Sequence, residues 1–250
     1  MKSKVKYFFL LIGLLMLDTF AVAQQKRDQG GNLSKFYKQR MHFGFNLGFN
    51  QTDFRLYTSP NSKLYTNLKD TINYPDDTLT LKQITHTRGT GLVLGIVSDF
   101  RLHEYLRLRF LPNIAFGSRT LTYSWTGTDT FNVIQNVEST FINFPLLLKL
   151  QSKRLGNFGA YVVSGGSYSI DLASGKRQKA NDQVVRLKSN DYYYEAGAGT
   201  DFYLPYFKLG LEFKLMLGLK NILIQDNTLF TKPINKLNSK IFMFSITFEG

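Results

Sequence analysis

The sequence predicts an all-β fold: an eight-stranded antiparallel transmembrane β-barrel with a filled lumen, preceded by a cleaved signal peptide. Three observations point there. The stretch "FKLGLEFKLMLGLK", Phe207 to Lys220, alternates with a period of two, the period of a β-strand. Six other segments show the same alternation, and a seventh, 158–170, reads as a weaker strand. The intervals between them run long, short, long, short, long, short, long, as expected of a membrane barrel with both termini on one side.

The N-terminus carries Lys2, Lys4 and Lys6, then the apolar run "YFFLLIGLLML" (7–17), then "AVA" (21–23) before Gln24. A basic start, an apolar core and a small-x-small site make a secretory signal peptide over 1–23. Its core is short for a membrane span, and no later segment reaches eighteen apolar residues. Residues 24–40 are polar and without a strong period, and read as a flexible periplasmic lead-in. The barrel domain is 41–250. The chain has no cysteine, which excludes disulfides, thiolate metal sites and a cysteine nucleophile. Its formal charge of +13 falls to +11 once Lys2, Lys4, Lys6 and Asp18 are removed. The basic residues are dispersed and follow no recognition-helix pattern, so nucleic acid is not an expected partner. Basic loops suit outer-membrane lipid and lipopolysaccharide phosphates instead.

The strands follow in order. "HFGFNLGFN" sets Phe43, Phe45, Leu47 and Phe49 against His42, Asn46 and Asn50. "GLVLGIVSDF" (91–100) sets Leu92, Leu94 and Ile96 against Gly91, Gly95 and Asp99. "YLRLRFLPNIAFG" (105–117) sets Leu106, Leu108, Phe110, Ile114 and Phe116 against Arg107, Arg109 and Asn113. In "ESTFINFPLLLKLQ" (138–151), Ile142, Phe144, Leu146, Leu148 and Leu150 oppose Ser139, Asn143, Pro145 and Lys149. "FGAYVVSGGSYSI" (158–170) leaves its faces unassigned. "DYYYEAGAGTDFYL" (191–204) gathers Glu195, Gly197, Gly199 and Asp201. "IFMFSITF" (241–248) puts Phe242, Phe244, Ile246 and Phe248 outward. The connections expected are 50–88, 101–104, 118–137, 152–157, 171–190, 205–206 and 221–240.

Most segments have 9–14 residues, which suits tilted strands crossing a bilayer. The Leu/Phe face then meets lipid, and Lys208, Glu212, Lys214 and Lys220 face inward. Eight strands enclose a space that side chains fill. The expected lumen charge cluster is Asp99, Arg107, Arg109, Lys149, Glu195, Asp201, Glu212 and Lys214. A turn pairing Tyr203 with Lys208 would set Gly199 opposite Glu212 and Gly197 opposite Lys214, glycines making room for long chains.

Catalytic chemistry has little to work with. Of three His, His42 and His103 fall at the periplasmic end. His86, near the outer rim, could meet Ser118 or Ser124 only through tertiary structure. The Gly-containing pieces precede no helix and are not nucleotide loops. Catalytic, metal and cofactor sites are therefore expected to be absent, and the chain is read as a non-enzyme.

"STFINFPLLLKLQSKR", Ser139 to Arg154, resembles the fourth-strand motif of the small outer-membrane β-barrel proteins of Bacteroidota, an aromatic and Pro before a Leu-rich run ending in Lys. The signal peptide and "FGFNLGFN" fit that family as well. Within it, the length, long first loop and basic character look most like the PorT barrels of the type IX secretion system. The resemblance implies a multi-pass barrel in the cell outer membrane, both mature termini periplasmic. It also implies a supporting role in type IX protein transport alongside other secretion-system proteins. An adhesive or envelope-stabilising surface barrel and a lipid-modifying enzyme are the alternatives. Phe248 is followed by Glu249 and Gly250, a departure from barrels that end on an aromatic residue.

Overall fold

The computed structural model describes residues 31–58, 80–126, 130–174, 185–226 and 230–250. The signal peptide, the start of the lead-in, residues 59–79, 127–129 and 227–229, and half of the loop 171–190 (175–184) lie outside the described residues. Nine antiparallel strands form one ring: β1 (Met41–Thr58), β2 (Thr80–Arg101), β3 (Leu106–Phe110), β4 (Asn113–Thr126), β5 (Thr130–Gln151), β6 (Phe158–Asp171), β7 (Asn190–Tyr203), β8 (Lys208–Gly218) and β9 (Ile234–Glu249). β1 pairs with β2 on one side and with β9 on the other, which closes the barrel.

The ring has eight staves, because β3 and β4 are one stave broken at Leu111–Pro112. Proline has no N–H for the ladder, so regular pairing lapses there. The register does not slip: Ser98 faces Phe110 on β3, and Gly95 faces Asn113 on β4. The Ile96 N–H reaches the Pro112 carbonyl at 3.0 Å across the break.

Near the end that holds Met41 and Glu249, here the terminal end, the apolar face points outward. Phe45 is 68% exposed and Phe49 65%; Leu94, Ile96, Leu146, Leu148 and Phe213 lie on the same outer surface. Their partners in the alternation point inward: buried polar and charged residues such as Asn46, Asn50, Lys149, Glu212 and Lys214, with the apolar Val93, Val97 and Leu147 among them. This is the lipid-facing band of a transmembrane barrel with its inverted polarity.

The strands run well past that band, and there the polarity flips. β2 and β5 have 22 residues each, about twice what a tilted strand needs to cross the hydrocarbon. On β4 the even positions stay outward throughout, yet the apolar residues change side. Ile114 and Phe116 face out; Leu121, Tyr123 and Trp125 face in, with Thr120, Thr122 and Ser124 outside. β1 does the same, from Phe49 outward to Phe54 inward. The expected loop 118–137 is therefore mostly strand: β4 and β5 pair to Thr126↔Thr130. Likewise 50–58 and 80–88 belong to β1 and β2. The extension carries an ordinary water-soluble core: Phe54, Leu81, Leu121, Tyr123, Trp125, Val137, Val185, Leu187, Ile222, Leu223, Phe230, Ile234 and Leu237 pack together inside it.

Two bulges on β2 shape the extension. Register shifts fall between Leu81 and Gln83 and between Arg88 and Val93. In the second, β2 comes so close to β4 that a Cβ on Gly89 would land on the Ser118 carbonyl oxygen, and one on Gly91 on that of Phe116. Thr52 Oγ1 and Asn50 Nδ2 donate to those two carbonyls, at 2.8 and 3.0 Å. Above Thr52↔Gly89 the β1–β2 ladder stops. Asp53 bridges the seam, with Oδ1 2.7 Å from His86 Nδ1 and Oδ2 3.1 Å from Arg88 Nε.

Of the lead-in expected over 24–40, residues 31–40 are described. Ser34–Lys38 forms a short helix, α1. Phe36 is buried and stacks on the His42 ring at 3.9 Å between centroids, while His42 Nε2 bonds the Phe36 carbonyl at 2.7 Å. Arg154 bonds the carbonyls of Asn32 and Gly156, and its guanidinium lies 4.1 Å from the centre of the Tyr203 ring. The apolar anchor Phe36 and backbone acceptors at Asn32, Phe36, Lys38 and Arg40 lay a polar segment across the barrel mouth.

Candidate functional site

Strand alternation delivers charges to the lumen from six staves. β2 contributes Asp99, β3 Arg107 and Arg109, β5 Lys149, β7 Glu195 and Asp201, β8 Lys208, Glu212 and Lys214, and β9 Glu249, all buried. All eight residues expected in the cluster lie in this interior, with Lys208, also expected to face inward, among them, and the structure adds Glu249. Lys220 differs: it sits beyond the end of β8, partly exposed, with Nζ 3.0 Å from Asn190 Oδ1.

Arg109 is the hub. Its Nε and Nη2 donate to both oxygens of Asp99 at 2.7 and 2.9 Å. Nη1 donates to Glu212 at 2.8 Å and Nη2 also to Glu249 at 3.1 Å. Lys149 Nζ lies 2.7 Å from Asp201, Lys208 Nζ 2.6 Å from Glu249, and Lys214 Nζ 3.2 Å from Glu195 and 3.5 Å from Glu212. Arg107 donates to Gln151 at 3.1 Å and touches His42 Nδ1 at 3.3 Å, joining the network to the lead-in cap.

Five carboxylates meet five cations, so the cluster has no net formal charge. A narrow interior demands that balance, because an unpaired buried charge costs several kcal/mol. The fork of Arg109 suits a hub, since its planar donors reach three carboxylates at once. Tyr161 from β6 supplies a π-face, with Lys149 Nζ 3.7 Å from the ring centre.

The register is Tyr203↔Lys208, Gly199↔Glu212 and Gly197↔Lys214. At Gly197 an added Cβ would meet Lys214 Cγ at 2.6 Å, so this glycine makes room for the lysine. At Gly199 the space is taken by Tyr161, whose hydroxyl would lie 2.5 Å from such a Cβ. The unassigned strand 158–170 thus proves to aim Tyr161 and Val163 into the lumen. Glu249 had a signal: it continues the inward phase one residue after outward Phe248. Tyr161 had none, because both faces of its strand near that end are apolar.

Toward the other end the lumen is filled by the apolar core of the extension. Arg119 stands beneath it, 4.2 Å from the centre of the Phe54 ring, donating to Ser239 Oγ at 2.8 Å and Ser139 Oγ at 3.1 Å. The space beside Arg119, Asp191 and Tyr193 measures about 10 Å³, the size of a single water. His86 sits in the seam between β1 and β2, partly exposed, and its hydrogen bond is to the buried Asp53. In the ladder it faces Leu121, while Ser124 faces Gln83. Among the described residues, no cluster of His, Asp and Glu has the makings of a metal site.

A family model described as "Outer membrane protein beta-barrel domain" matches residues 22–223. No curated protein matches the chain. Among solved structures, the chain aligns with the outer membrane protein OprG from Pseudomonas aeruginosa at 13% identity, over 84% of this chain and 92% of that one, with a TM-score of 0.39. It aligns with Ail, the attachment invasion locus protein of Yersinia pestis, at 10% identity over 85% and 100%, with a TM-score of 0.27.

Proposed function

Because the chain belongs to the outer membrane protein β-barrel domain family, we propose that it is a non-enzymatic outer-membrane barrel that supports type IX protein secretion through its surfaces. The observation that carries the surface reading is the double plug. A neutralised charge network fills the lumen near the terminal end, and an apolar core fills it in the extension. A barrel sealed in this way does not conduct a polypeptide, so its contribution to export is made by contact with other secretion-system proteins and with lipopolysaccharide. The type IX assignment rests on the resemblance of "STFINFPLLLKLQSKR" to the Bacteroidota barrel motif. In this reading the terminal end, with its lead-in cap, is periplasmic and the extension stands outside the cell.

Deletion of the gene, followed by a profile of secreted proteins, is the test. Cargo should accumulate unprocessed in the periplasm while the envelope stays intact, and normal secretion would overturn the reading. Labelling of Arg55→Cys by an impermeant maleimide on intact cells tests the orientation; labelling only after the outer membrane is opened would reverse it. A second reading, an adhesive surface barrel, is favoured by the water-facing extension itself. It predicts normal secretion together with lost attachment.

A further inference from the structure

Where the lipid-facing band ends on β1 and β9, a row of cations begins. The outward residues of these strands are cross-strand partners: Phe49↔Phe244, Gln51↔Phe242, Asp53↔Lys240 and, farther out, Tyr57↔Lys236. The row turns from aromatic to charged between Phe242 and Lys240. Asp53 lies ten residues beyond Phe43. For a strand tilted by about 40° that is roughly 25 Å along the barrel axis, the height of a lipid-facing band. Lys240 and its neighbour Arg55 thus stand where hydrocarbon gives way to headgroups, on the side of the extension.

These cations are short of anions. Lys240 holds its Nζ 4.7 Å from the centre of the Phe242 ring, and Lys236 6.0 Å from that of Tyr57. Arg55 donates Nη2 to the Tyr57 hydroxyl at 3.0 Å. Among the described residues, none of the three forms an ion pair with a carboxylate. The carboxylate in their midst, Asp53, is already engaged. Its Oδ1 accepts from the Phe54 N–H at 2.8 Å and lies 2.7 Å from His86 Nδ1, and its Oδ2 accepts from Arg88 Nε. Arg88 still leaves 55% of its side chain exposed. The adjoining β4–β5 wall of the extension is different: Thr120, Thr122 and Ser124 on β4 and Asn132, Asn136 and Glu138 on β5 face outward, with no cation among them.

We propose that the outer face around Lys240, Arg55 and Arg88 binds the phosphates of a lipid A molecule, whose acyl chains lie on Phe49, Phe242 and Phe244. Position selects this occupant as much as charge does. An acidic protein would need the cations alone. Here they continue directly from an exposed aromatic row, Phe49 at 65% and Phe244 at 44%, so the surface matches a ligand that is anionic at one end and apolar at the other. Arginine forks suit phosphate oxygens, and Lys240 adds a point charge at the boundary. The inference deepens the proposed contact with lipopolysaccharide and rests on that reading for orientation, because lipid A occupies the outer leaflet. Binding in detergent depends neither on orientation nor on secretion, so its failure is distinct from theirs.

The test titrates lipid A into protein refolded in detergent without lipid, read by native mass spectrometry. Wild type should retain lipid A, and Lys240→Gln with Arg55→Gln should weaken its binding about tenfold or more, as expected on losing two charged contacts. Neither side chain holds an ion pair, so the double variant should fold, as heat-modifiable gel mobility will show. Thr122→Glu with Ser124→Glu, on β4, lowers the net charge equally and should leave binding unchanged. Lipid A stripped of its phosphates should bind wild type as weakly as intact lipid A binds the glutamine variant. Equal affinity of wild type and the glutamine variant overturns the proposal, and is the outcome expected if an acidic protein is the true occupant. An equal loss in the β4 variant also overturns it, since net charge and not this face would then attract the lipid. So does full affinity for the stripped lipid, which would leave the acyl chains alone to hold it.

Discussion

Arg109 and Asp99 form a two-point pair inside the barrel, Nε to Oδ1 at 2.7 Å and Nη2 to Oδ2 at 2.9 Å, with both side chains fully buried. They face each other across the β2–β3 ladder, so the sheet register itself holds them in place. Lys149 and Lys208 approach the same Asp99 carboxylate at 3.8 and 3.9 Å. Removing this one acid leaves three cations short of an anion.

Asp99→Asn should therefore cost about 3–5 kcal/mol, the range for breaking a buried ion pair from one side. Urea unfolding in lipid vesicles, read by gel mobility without boiling, measures it. A cost under about 1 kcal/mol would mean that water screens the lumen charges.

Leu148→Arg places a charge on the lipid-facing band and should cost about 2–4 kcal/mol. Ile134→Arg, also at an exposed position but on the extension, should stay within about 0.5 kcal/mol, as substitutions facing water do. Equal costs at the two positions would refute the change of outer medium along β5.

Trp125 is the single tryptophan and is 1% exposed inside the extension. Its fluorescence thus reports the apolar core alone. Leu121→Ala should destabilise that core by about 2–5 kcal/mol. The fluorescence transition should move to lower urea while the gel-mobility transition stays in place. Coincident shifts would show that band and extension unfold as one unit.

Phe36→Ala removes the apolar anchor of the lead-in. Trypsin should then cut at Lys35 and Lys38 faster by about tenfold, as expected when a terminal segment loses what ties it down. The barrel should resist urea as before. Unchanged cleavage would mean that the Arg154 contacts hold the segment without the ring.

Period-two alternation from Met41 to Glu249 was enough to establish strands, their number of staves and their lipid-facing row. It also put Asp99, Arg109, Lys149 and Glu212 on the inner face, because in a transmembrane barrel a charge has nowhere else to go. The pairing of Gly197 with Lys214 followed from one tight turn. Alternation does not say which medium lies outside, however. "LTYSWT" and "NIAFGS" have the same period, and only the height of each along the barrel decides whether its apolar row seeks lipid or a protein core. The occupant of the gap at Gly199 was equally hidden, since Tyr161 arrives from a strand 38 positions earlier. The docking of Phe36 on His42 is of the same kind: a single stacking contact carries no periodic trace in a polar segment, and it exists because the closed ring presents the His42 ring at its mouth.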